Sequence, residues 1–140
     1  KIAPDLNGSE CEDIADIILK HEMDGLIVSN TTLSRDGLTS TLKDEEGGLS
    51  GEPLFDLSTM VLSTMYGLTK GKIPLIGVGG VSSGAQAYAK IKAGASLVQL
   101  YSALVYHGPN LATKINLELI ALLKKDGFSN ITEAIGIDHK

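Results

Sequence analysis

The sequence predicts a parallel α/β fold of four strand–helix modules, and three observations carry that expectation. Short apolar runs rich in β-branched residues recur at 26–29, 73–78 and 96–101, each followed by a helical pattern. Glycine turns punctuate the modules at Asp24-Gly25, Gly79-Gly80, Gly94 and Gly108-Pro109. The chain opens on Lys1-Ile-Ala-Pro-Asp5, which reads as the end of a strand entered partway and suggests a piece of something larger. Strict alternation of this kind implies a parallel sheet covered by helices. Right-handed crossovers then leave two architectures, an open doubly wound sheet or four units of a (β/α)8 barrel. A full barrel takes roughly 250 residues, so this 140-residue chain would supply about half.

Each element has a local reason. Ser9 with Glu12 forms a capping-box pattern, and Ile14, Ile17 and Ile18, with Cys11, mark one helical face up to about His21. Asp24-Gly25 turns into the buried strand 26–29. A polar segment from Asn30 to about Pro53 follows, and loops of that length are usually functional or disordered. Residues 56–70 read as a helix with Leu57, Met60, Val61, Met65 and Leu68 inward and Gly71 past its end. The strand 73–78 precedes a helix over 84–92, opened by Ser83 with Gln86 in reciprocal position. The strand 96–101, a brief helix at 103–106 and an amphipathic helix over 111–125 complete the alternation. Leu111, Ile115, Leu119, Leu122 and Leu123 form the inner face of that last helix, and 131–135 reads as a short helix or loop.

Composition narrows the function classes. A hydrophobic fraction of 43% with 21% charged residues is that of a globular protein. A net charge of -5 with no basic stripe argues against nucleic acid as a partner. No apolar run approaches the roughly 18–20 residues that span a bilayer, and no signal-peptide pattern is expected. The single Cys11, flanked by Glu10 and Glu12, reads as an inert surface or half-buried thiol in a reducing compartment. His21, His107 and His139 are scattered and read as surface residues.

The chemistry concentrates at Ile73-Pro-Leu-Ile-Gly-Val-Gly-Gly-Val-Ser-Ser-Gly84. Backbone N–H groups of a glycine turn leading into a helix make a concave, partly positive pocket suited to an anion. Gly79 and Gly80 lack a Cβ, so a ligand can approach the main chain closely. In a barrel, functional groups lie past the C-terminal ends of strands. Those positions are Lys1 to Asp5, Ser29-Asn30-Thr31, Gly79-Gly80 and Tyr101-Ser102, where small and polar residues gather. The residues themselves thus favour a phosphate-binding half-barrel.

Five segments in order resemble dihydroorotate dehydrogenases of the quinone-reducing class. They are Lys1-Ile-Ala-Pro-Asp-Leu6, Asp24-Gly-Leu-Ile-Val-Ser-Asn-Thr-Thr32, Gly47-Gly-Leu-Ser-Gly51, Ile76-Gly-Val-Gly-Gly-Val-Ser-Ser-Gly84 and Gly94-Ala-Ser-Leu-Val-Gln-Leu-Tyr-Ser102. The resemblance implies a (β/α)8 barrel with FMN at its mouth, this chain supplying roughly the last four units. It implies oxidation of dihydroorotate to orotate in pyrimidine synthesis, with quinone as the electron acceptor. Lys1, Ser29, Gly51, Gly79, Gly80, Tyr101 and Ser102 would hold FMN, while Asn30 and Thr31 would contact the substrate. An ammonium at Lys1 would stabilise charge that builds on the reduced ring. The amide of Asn30 both donates and accepts, which suits a ring of alternating N–H and C=O groups.

The same resemblance marks what this chain would lack. The family's base is a serine of the first barrel half, and no position here matches it, so no catalytic residue is assigned. The membrane-contacting helices that meet quinone would also belong to the missing N-terminal half. Localisation at the mitochondrial inner membrane, or at a bacterial cytoplasmic membrane, follows from the family alone. Glu52 stands where a basic residue is usual in Ser-Gly-x-Pro-Leu. The rival expectations are another FMN-barrel oxidoreductase and a non-catalytic half-barrel that binds FMN, phosphate or a partner chain.

Overall fold

The computed structural model describes residues 1–140. Its elements are α1 (Gly8–Lys20), β1 (Leu26–Val28), a 3-10 turn (Glu52–Leu54), α2 (Phe55–Thr69), β2 (Leu75–Val78), α3 (Gly84–Lys92), β3 (Ala95–Gln99), α4 (Ser102–His107), α5 (Leu111–Lys125), α6 (Ile131–Ala134) and a closing 3-10 turn (Ile137–His139). The three strands pair in parallel in the order β1-β2-β3. Ile2 adds a parallel bridge to Val28, on the far side of β1 from β2. The strand entered partway is therefore present as one bridging residue, fixed by its N–H to Ile27 O (3.1 Å) and its carbonyl to Asn30 N (2.8 Å).

Spatial order equals sequence order, which separates the two architectures left open above. A doubly wound sheet reverses its strand order and covers both faces with helices. Here Leu26, Val28, Leu75, Gly77 and Ala95 are buried, with Leu26, Val28, Leu75 and Ala95 joining helical residues such as Leu62, Met65, Ala87 and Ile91 in one core. The alternate positions Ile27, Ile76 and Val78 are only half-buried, and Leu97 is 64% exposed. One face is roofed by helices and the other is open, as in an arc of barrel wall.

Several local expectations shift. α1 is capped by Asn7, not Ser9: Asn7 Oδ1 accepts from Glu10 N (3.0 Å) and Glu10 Oε2 accepts from Asn7 N (2.8 Å). Both tetrads satisfy the capping pattern, but the earlier start buries Cys11, Ala15 and Ile18 on one stripe and leaves Ile17 exposed. In α2 the inner stripe is Ser58, Val61, Leu62, Met65 and Thr69, with Met60 turned to solvent. Two of those five are hydroxyl residues, each satisfied by backbone carbonyls, and an apolar count passes over them. Cys11 is buried rather than half-exposed, and burial, then the Glu10 carboxylate, raises its thiol pKa. Both effects disfavour the thiolate.

Tyr66, near the end of α2, organises the lower rim. A Cβ at Gly94 or Gly136 would overlap its ring, and one at Gly71 would press on its hydroxyl at 3.1 Å. All three glycines have positive φ (66°, 121° and 67° at Gly71, Gly94 and Gly136). The ring also meets His139 at 5.0 Å, and Ser63 Oγ lies 3.0 Å from His139 Nε2. His139 thus packs against Tyr66 while remaining exposed at the surface.

Residues 30–53 fold back on themselves. Thr32 and Leu49 form an antiparallel bridge, and Asp5 accepts from Thr32 Oγ1 and Leu33 N. Inside that clasp the Arg35 guanidinium donates to the carbonyls of Thr32, Leu33, Ser34, Lys43, Glu45 and Gly47. One planar fork with five donors thus stands in for a hydrophobic centre. Arg35→Ala is expected to speed cleavage after Lys43 by a lysine-specific protease by about tenfold, since local opening controls attack. An unchanged cleavage rate would show that the strand bridge alone holds the loop.

Candidate functional site

A cavity of about 560 Å³ opens where the strands end. All nine residues singled out from the sequence line it: Lys1, Ser29, Asn30, Thr31, Gly51, Gly79, Gly80, Tyr101 and Ser102. Lys1 precedes the Ile2 bridge, Ser29 to Thr31 follow β1, Gly79-Gly80 follow β2, and Tyr101-Ser102 lie two residues beyond β3. Parallel pairing with no reversal sends every carboxyl end to the same side.

Each segment is held by a distinct device. Ser29 is buried, its N–H continues the ladder to Val78 O (3.1 Å), and its hydroxyl donates to Asn30 O (2.9 Å). Asn30 Oδ1 accepts from Thr31 N at 2.9 Å. That local turn occupies the oxygen and leaves the amide NH2 free for a ligand acceptor. Gly48 lies so close to the Thr31 side chain that any Cβ would overlap it, which seats the long loop on the mouth. The loop's end at Gly51 has φ 87° and ψ -159°, a backbone region reserved for glycine. Beside it Ser50 Oγ and Ser102 Oγ lie 2.9 Å apart, joining the loop to the start of α4. Tyr101 is 82% exposed at the rim, beside Tyr106 and His107.

The glycine turn is built differently from the sequence expectation. Ser83 caps α3 through Gln86 N (3.3 Å), but Gln86 Oε1 reaches back to Ser82 N (2.8 Å) instead of Ser83 N. The N-terminus of α3 is also filled from outside: Glu118 of α5 accepts from Gly84 N at 2.6 Å. A carboxylate thus closes the first turn of α3 itself. What remains free is the turn itself, because Gly80 N–H has no acceptor in the chain and Gly80 lines the cavity. Gly79 and Gly80 adopt φ 119° and 71°, and an added Cβ would strike Ser58 Oγ (2.6 Å) or Phe55 Cβ (2.5 Å). The turn is pressed against the start of α2.

One residue escaped the sequence reading. Lys90 is fully buried on α3, with Nζ 2.5 Å from Ser58 Oγ and 5.2 Å over the Phe55 ring. Burial lowers its pKa to about 7, against which Asp56 pulls weakly upward. The available signal was a lysine on the same helical stripe as Ala87 and Ile91.

The donor set fits a flavin nucleotide. Hydroxyls at Tyr101 and Ser102, a free main-chain N–H at Gly80 and the Lys1 ammonium face a cavity within the roughly 300–1,000 Å³ usual for such ligands. Glu52 is the one carboxylate on its lining.

The dihydroorotate dehydrogenase family model matches residues 1–123. The chain is 59% identical over 139 residues to dihydroorotate dehydrogenase (quinone) of Parvibaculum lavamentivorans, covering 99% of this chain and 40% of that protein. It is 57% identical over 141 residues to the mitochondrial dihydroorotate dehydrogenase (quinone) of Mus musculus, covering 36% of it. The crystal structure of the Eimeria tenella enzyme in complex with ferulenol aligns with TM-score 0.96 at 46% identity, over 99% of this chain and 37% of that one. The chain therefore spans about two-fifths of the length of the relatives it matches. The α/β arc described above is barrel wall of this type. Matched over nearly its full length at these identities, the chain belongs to the dihydroorotate dehydrogenase family.

Proposed function

We propose that residues 1–140 are the C-terminal half of an FMN-binding (β/α)8 barrel that oxidises dihydroorotate to orotate and passes electrons to quinone. The observation that carries this reading is the convergence of nine residues, from five separate segments, on one cavity. The family is one of flavoproteins, and bound FMN would supply the hydride acceptor. Gly80 N–H, Ser102 and Tyr101 hold the phosphate end, with Gly79 keeping that wall thin. Ser29 and Gly51 flank the ring, and Lys1 places positive charge beside it. Asn30 NH2 and Thr31 orient the substrate ring. The proton acceptor for the substrate carbon, the quinone site and the membrane contact reside in the half that completes the barrel. No helix of residues 1–140 is long and apolar enough to cross a membrane.

Supplied with the completing half, the protein is expected to carry flavin absorbance and to form orotate. Expressed alone, the 140 residues are expected to show no turnover, and robust oxidation by them alone would overturn this division of labour. Glu52 offers a finer check. Replacing the lone acidic group on the cavity lining, Glu52→Lys should tighten FMN binding about two- to fivefold at low salt and less at high salt. Riboflavin, without the phosphate, should respond less.

A further inference from the structure

Lys90 lies outside the cavity, yet it touches the machinery that shapes the glycine turn. Lys90 Nζ donates to Ser58 Oγ at 2.5 Å, and in its protonated form it has donors and no acceptor. That fixes which way the Ser58 proton goes. With its lone pair facing Lys90, the hydroxyl donates to a carbonyl, and the two in reach are Phe55 O (3.1 Å) and Gly79 O (3.3 Å). The Gly79–Gly80 peptide is planar and trans, so its C=O and N–H point in opposite directions. Drawing Gly79 O toward α2 therefore turns Gly80 N–H away from α2, and that N–H is the unpaired one on the cavity side.

We propose that Lys90, acting through Ser58, is a positioning residue that holds the Gly79–Gly80 peptide with its N–H toward the phosphate of the bound flavin nucleotide. This rests on the FMN reading above. Two successive glycines at positive φ resist a peptide flip poorly by themselves. A flipped peptide would aim a carbonyl oxygen at the phosphate in place of a donor. Lys90 is positioned to prevent this from the interior, without touching ligand, and no carboxylate forms an ion pair with it. Its partner is the hydroxyl, which in turn reaches the turn carbonyl.

The test uses the completed barrel with Lys90→Met, Ser58→Ala and the double substitution, titrated with FMN and with riboflavin. Each single variant should weaken FMN about tenfold while riboflavin stays within about twofold, because only the phosphate reads the N–H. The double variant should be no weaker than the weaker single one, since both changes break the same relay. Equal losses for FMN and riboflavin, or losses that add in the double variant, would overturn the proposal. Should Lys90→Met fail to fold, the FMN-to-riboflavin ratio of Ser58→Ala decides alone. Wild-type protein that binds no FMN would overturn the functional reading together with this one, whereas wild-type binding with parallel variant losses overturns only this one.

Discussion

Gly80→Ala is expected to remove flavin nucleotide retention and to destabilise the completed barrel by about 2–5 kcal/mol. Two separate costs combine. At φ 71° an L-residue pays about 1–2 kcal/mol for the left-handed backbone. The new methyl would also lie 2.5 Å from Phe55 Cβ and 2.7 Å from its Cα and N. Those main-chain atoms open α2 and cannot move without shifting the helix, so the turn must yield. Gly37 supplies the control: its φ is 76°, but nothing lies within 4 Å of an added Cβ. Denaturant midpoints of Gly37→Ala and Gly80→Ala then separate strain from collision. Equal losses at the two sites would mean that the turn has room the packing denies it.

Lys90→Met is expected to stabilise the protein at pH 6–7 and to flatten its stability between pH 7 and 10. The folded-state pKa of Lys90 is about 7, well below the 10.5 of a solvated lysine, with burial as the main cause. Between those values the unfolded chain binds a proton that the folded chain does not, so wild-type stability rises with pH across that window. Below pH 7 both states are protonated and the full burial penalty stands, on the order of 5 kcal/mol. Methionine fills similar space without a charge, at the loss of the contact to Ser58 Oγ. Urea denaturation of both proteins at pH 6, 7, 8 and 9 gives the comparison, with other titrating groups cancelling in the difference. A wild-type curve parallel to that of the methionine variant would mean that water or a carboxylate reaches Lys90.

The alternation of strands and helices, the parallel pairing and the residues at the strand ends were legible because they are carried by local patterns. Ser29, Gly80 and Ser102 follow apolar runs that can only be buried strands, and barrel geometry sends such ends to one mouth. The capping of α1 was misread by two residues, because Asn7-x-x-Glu10 and Ser9-x-x-Glu12 are equivalent until burial of Ala15 decides between them. The carboxylate that closes the N-terminus of α3 was not legible, because Glu118 comes from another helix and no local pattern announces it. Lys90 and Ser58 stayed hidden for the same reason. Their pairing spans 32 positions and depends on how α3 lies against α2. The order of the long loop was equally nonlocal in cause, resting on one guanidinium that reaches carbonyls up to 12 positions away.

The Tyr66 ring has a consequence for how this chain can vary. It is the shared template against which the end of α2, the turn before β3 and the approach to the carboxyl terminus are each moulded. A smaller side chain there would relax the steric demand at Gly71, Gly94 and Gly136 at once and leave His139 without its platform. Because all three glycines also have positive φ, shrinking the ring alone would not free them, and both constraints hold these positions to glycine.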